Sequence, residues 1–141
     1  MPGSKPHIHD KYGKSLFKEI YEGNFNPLPT KKPFGINDNE AGTFRIDGIL
    51  EKEKIAIEIE SRANKQVRGA LVDLALHPFD KKLLVLIKKY SNDYTLRQCK
   101  IILEKLTQNK KIEVIELKGT GDTPKKEVDI KKIKQAVRNL R

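Results

Sequence analysis

Between Lys82 and Lys88 the chain runs Leu-Leu-Val-Leu-Ile without a polar residue. Successive side chains of a strand point to opposite faces, so this run needs cover on both and reads as a central strand flanked by helices. Amphipathic spacing predicts those helices over 10–22, 65–77, 95–106 and 128–140. Their apolar stripes are Tyr12, Leu16 and Ile20; Val67, Ala70, Leu71, Leu74 and Ala75; Leu96, Cys99, Ile102, Leu103 and Leu106; and Ile130, Ile133, Val137 and Leu140. Asp10 reads as the N-cap of the first helix, and Pro78 halts the second. Residues 111–117 alternate as a further strand. The expected class is α/β, a mixed sheet flanked by helices in a single domain over 1–141. Residues 1–8 read as a loose arm. Pro27, Pro29 and Pro33 make 23–43 a long loop, and 118–127 reads as a linker to the C-terminal helix.

A second pattern carries the chemistry. Phe44-Arg45-Ile46-Asp47-Gly48-Ile49-Leu50 and Lys54-Ile55-Ala56-Ile57-Glu58-Ile59-Glu60 both alternate, and Glu51 to Lys54 can close them into a hairpin. Ile55, Ile57 and Ile59 then share one face, with Ala56, Glu58 and Glu60 on the other. In the first strand Phe44, Ile46 and Leu50 share a face opposite Arg45, Asp47 and Ile49. Pairing Glu51 with Lys54 sets Asp47 opposite Glu58 and Arg45 opposite Glu60. Opposed residues stand roughly 4.5–5.5 Å apart at Cβ, where like charges are destabilising. Folding has no use for Asp47 beside Glu58, whereas a divalent metal would explain it. In the first helix Glu19 projects into the apolar face beside Tyr12 and Leu16. It reads either as a rim residue paired with a lysine or as a third acid reaching the hairpin.

Composition names a partner. Lys and Arg total 29 against 19 Asp and Glu, a net charge of +10. That excess draws polyanions by counterion release, so nucleic acid is the expected partner. Lys31 and Lys32 in the long loop, and Arg62, Lys65 and Arg68 after the hairpin, are the cations expected to meet phosphate. The lone Cys99 lies on an apolar stripe, as a buried thiol of a reducing cytoplasm does. No apolar run is long enough to span a membrane, and the polar N-terminus lacks the apolar core of a signal peptide. Hard carboxylate oxygens suit Mg²⁺, with Mn²⁺ as a substitute. Asp47, Glu58 and Glu19 are its candidate ligands.

Taken together, Arg-Ile-Asp47-Gly, a hairpin, Ile-Glu58-Ile-Glu60, a helix and an apolar strand resemble the PD-(D/E)XK nuclease superfamily over roughly residues 10–90. The resemblance implies a restriction-endonuclease-like αβββαβ core with an added C-terminal helix. It implies a metal site at Asp47 and Glu58, assisted by Glu19 from the preceding helix. Glu60 stands where the family carries lysine and looks like the Glu-x-Glu variant of type II restriction endonucleases of the BamHI kind. In that variant the second glutamate acts on the attacking water. The missing cation then comes from Lys65, Lys54 or Arg62, with Lys65 preferred. The function implied is a Mg²⁺-dependent DNA endonuclease, homodimeric because a duplex has two strands to cut. A type II restriction enzyme is the first expectation; a Holliday-junction resolvase and a catalytically silent nucleic-acid-binding module are the alternatives.

Overall fold

The computed structural model describes residues 4–27, 46–61, 65–87, 93–108 and 111–141. Its elements follow the order α1 (Ser4–Ile20), β1 (Phe25–Pro27), β2 (Gly48–Leu50), β3 (Ile55–Glu60), α2 (Lys65–Leu76), β4 (Lys81–Ile87), α3 (Asp93–Thr107), β5 (Ile112–Leu117) and α4 (Lys126–Leu140). The five strands form one mixed sheet in the order β1-β2-β3-β4-β5. β1, β2 and β3 pair antiparallel, whereas β3, β4 and β5 run parallel.

The apolar run at 83–87 does lie inside the sheet, between β3 and β5, and its alternate residues feed two cores. Leu83, Val85 and Ile87 join Ile55, Ile57 and Ile59 beneath α1 and α4. Leu84 and Leu86 join Ala56 beneath α2 and α3. The result is three layers, with the sheet in the middle. The hairpin register is the one the alternation required: Gly48 pairs with Ile57, Ile49 with Ala56 and Leu50 with Ile55. Asp47 N–H donates to Ile57 O at 3.1 Å, which carries the register back toward Glu58.

Several boundaries differ from expectation, each for a physical reason. α1 begins at Ser4 rather than at Asp10. Residues 4–8, expected in a loose arm, are its first helical positions, and Pro6 falls in the first turn, where the helix needs no N–H from it. Asp10 is therefore an interior helix residue and not a cap. The buried stripe of α1 includes His9, Gly13 and Phe17 beside Tyr12 and Leu16. Ile46 packs with Ile49 and Ala56 rather than with Leu50, because the chain bends at Asp47 and breaks the alternation there. Leu106, expected inward on α3, is 51% exposed near the helix end.

The segment after β5 is tied to α1. Asp129, 0% exposed on the first turn of α4, accepts from Tyr12 Oη at 2.6 Å, Lys118 N–H at 2.7 Å and Gly119 N–H at 2.9 Å. Tyr12 Oη in turn accepts from Lys125 N–H, and His9 Nδ1 accepts from Gly121 N–H. Gly119 is required there: a Cβ would lie 2.4 Å from Lys125 N and 2.6 Å from Tyr12 Oη. Among the described residues no helix is long and apolar enough to cross a membrane.

Candidate active site

The alternation of β3 turns Glu58 and Glu60 to the same side as Ala56, and both are buried. Asp47 sits in the bend ahead of β2, and its Oδ2 accepts the Ile59 N–H at 2.7 Å. A carboxylate thus takes the place of a backbone acceptor on β3. That bond fixes Asp47 near the plane of the sheet, where helices from both layers can reach it. α1 comes close because Gly13 faces Ile59; a Cβ there would lie 3.0 Å from Ile59 Cγ2. One turn before this contact Asp10 faces the acids, and from the residue next to Gly13 Lys14 Nζ stands 3.4 Å from Asp47 Oδ1. From the other layer α2 presents Asp73, with Gly69 one turn before it. Five carboxylates, Asp10, Asp47, Glu58, Glu60 and Asp73, line one cavity of about 220 Å³.

So many acids in one cavity cannot all ionise at ordinary pH. Burial, the hydrogen bond shared with Asp47, and the charges of Asp47, Asp73 and Glu60 hold Glu58 well above the usual carboxylate range. Asp10 is pushed up to about 7, by burial first and then by Asp47 and Glu60. A hydrogen bond with Ser61 and the charge of Lys14 oppose that rise. Asp10 Oδ1 is buried without a hydrogen-bond partner. An unsatisfied buried oxygen is costly, and it commonly marks a place for a ligand, water or ion.

Glu19 does not join the cluster. It lies nine residues from Asp10, and at about 100° per residue that is half a turn of the helix. Its side chain is 54% exposed and pairs with Lys126 at 3.7 Å. The acid that α1 contributes is Asp10. Lys54 is also elsewhere: it closes the hairpin turn with φ 61° and its Nζ lies over the Phe79 ring. Lys65 opens α2, with its side chain outside the described residues, as are Arg62, Lys31, Lys32 and Arg45. Arg68 is exposed on α2 beside Gly69.

Sequence reasoning missed Asp10, Lys14 and Asp73. The available signal was Gly13 and Phe17, which shift the apolar stripe of α1 toward Asp10 and away from Glu19. Asp10 and Lys14 also form an i, i+4 pair on one edge of that stripe. For Asp73 no such signal existed, since a polar residue beside a core stripe is ordinary. His77, at the end of α2, is buried. Its Nδ1 accepts from Phe79 N–H, and burial together with Lys82 lowers it to about 4.

The donor set fits a hard divalent cation. All five groups are carboxylates, which suit Mg²⁺ or Mn²⁺, and the partnerless Asp10 oxygen lies among them. Among the described residues no three acids, histidines or cysteines stand in ligating geometry as they are now arranged. No protein-family model, curated protein or solved structure matches the chain.

Proposed function

We propose that this chain is a Mg²⁺-dependent DNA endonuclease that hydrolyses phosphodiester bonds. The observation that carries the reading is the cavity itself: five carboxylates from α1, β3, α2 and the bend before β2, in a chain whose net charge is +10. A fold gains nothing from crowding acids until two of them keep their protons. A site that receives a cation together with a polyanion does. The element order α1-β1-β2-β3-α2-β4 and the very short β1 agree with the nuclease resemblance of Asp47, Glu58 and Glu60.

In this reading Asp47, Glu58 and Asp10 hold the ion. When bound, Mg²⁺ or Mn²⁺ supplies a Lewis acid for the phosphodiester and lowers the pKa of water. Glu60 orients the attacking water and accepts its proton. Lys14, beside Asp47, joins Lys65 as a candidate for the part of the missing family lysine. Arg68 and the cations at 31, 32, 62 and 65 attract the phosphate backbone. A homodimer lets two such sites address the two strands of a duplex.

The test is incubation with plasmid and with a synthetic four-way junction, in Mg²⁺ or in EDTA. Defined plasmid fragments indicate a restriction enzyme; paired nicks in the junction alone indicate a resolvase. Salt-sensitive binding without Mg²⁺-dependent cleavage would leave a silent binding module. Asp47→Asn and Glu58→Gln are each expected to lower cleavage about a thousandfold, the several kcal/mol that a misplaced metal forfeits. Wild-type rates in either variant would remove the assigned site.

A further inference from the structure

Glycine is the least favourable residue after proline in a helix interior, yet Gly69 sits in the middle of α2. A positive φ or a crowding neighbour usually explains such a residue. Neither holds here. Among the described glycines only Gly23 has a positive φ, and a Cβ on Gly69 would meet nothing within 4 Å. Gly13, Gly48 and Gly119 are the opposite case, with added Cβ atoms 3.0, 2.5 and 2.4 Å from neighbours. The open space at Gly69 is not featureless solvent either, because the residue lines the acid cavity one turn from Asp73.

The cavity's size decides what that space is for. At about 220 Å³ it is smaller than the roughly 300–1,000 Å³ of a pocket that encloses a whole small molecule. It has room for an ion, its water and one phosphate group. The remainder of any substrate must lie outside, across the rim, and exposed Gly69, with Ala70, lines the cavity on its α2 side.

We propose that Gly69 is the clearance that lets a nucleic-acid strand lay its sugar-phosphate backbone across α2 while one phosphate enters the acid cavity. It thereby sets a preference for polymeric over small diesters. This inference rests on the nuclease reading. A side chain at position 69 obstructs the strand on either side of the reacting phosphate, and a compact diester meets it less.

The experiment compares wild type, Gly69→Ala and Gly69→Leu on plasmid DNA and on bis(p-nitrophenyl) phosphate in Mg²⁺ or Mn²⁺. Gly69→Ala is expected to raise Tm by about 3 °C, since it improves the helix and meets no neighbour. Gly69→Leu is expected to lower the ratio of plasmid to small-diester cleavage by about tenfold or more, as a misfit of that bulk does. An equal fall on both substrates, an unchanged ratio, or a lowered Tm for Gly69→Ala overturns the clearance role while leaving the nuclease reading intact. Wild-type protein that cleaves neither substrate overturns the nuclease reading and this inference with it.

Discussion

Asp10 takes up a proton on folding, and that ties the stability of the protein to pH. Its ordinary value is 3.8 and its folded value about 7, so between those limits the folded chain binds more protons than the unfolded one. The contribution is complete below about pH 4 and is lost as pH rises through 7. Glu58 shifts in the same direction. Thermal melts should therefore show Tm falling from pH 5 to pH 8, with a shallower slope in Asp10→Asn and that variant above wild type at pH 8. Mg²⁺ competes with these protons and should raise Tm more at pH 8 than at pH 5.5; equal rises would mean that the ion binds elsewhere. Glu58 and Asp47 were legible in the sequence because strand alternation and a fixed turn leave one pairing. Asp10 was not. A helix expected to start at Asp10 makes that residue a cap, and only the shift of the apolar stripe by Gly13 and Phe17 points it at the core.

At the scale of elements, Asp129 fastens three pieces of chain with one carboxylate. From the sequence it is a polar position near the start of an amphipathic helix, indistinguishable from a solvated one, because burial there depends on where α1 lies. Asp129→Ala leaves the Lys118 and Gly119 amides and the Tyr12 hydroxyl without their acceptor. Each unpaired buried donor costs about 1–3 kcal/mol, so the variant should lose about 3 kcal/mol or more by urea unfolding. A loss under about 1 kcal/mol would mean that water replaces the carboxylate freely. The strands themselves were easier to read. Alternation at 55–60 and the apolar run at 83–87 each admit one arrangement of faces, and the sheet adopts it.

Over the whole molecule, the layers followed from pattern while the composition of the site did not. Periodicity fixes which residues face a core, but α1 and α2 meet at the acid cavity from opposite layers. That meeting is a property of the assembled sheet. Five of the nineteen acids stand in the cavity, so the outer surface is more cationic than the net charge alone suggests. The bonds that hold α1 have a further consequence for the order of events in folding. Tyr12 and His9 are secured by residues more than a hundred positions later, at Asp129, Lys125 and Gly121. Contacts of such long range form late, and the ribosome delivers their second half last. α1 is thus made well before the segment that locks it, and a chain that ends short of that segment carries Glu58 and Glu60 without a finished centre. Pulse-labelled hydrogen exchange during refolding should find α1 amides protected together with those of α4, after those of β3 and β4. Protection of α1 in the earliest phase would show that the helix settles without its latch.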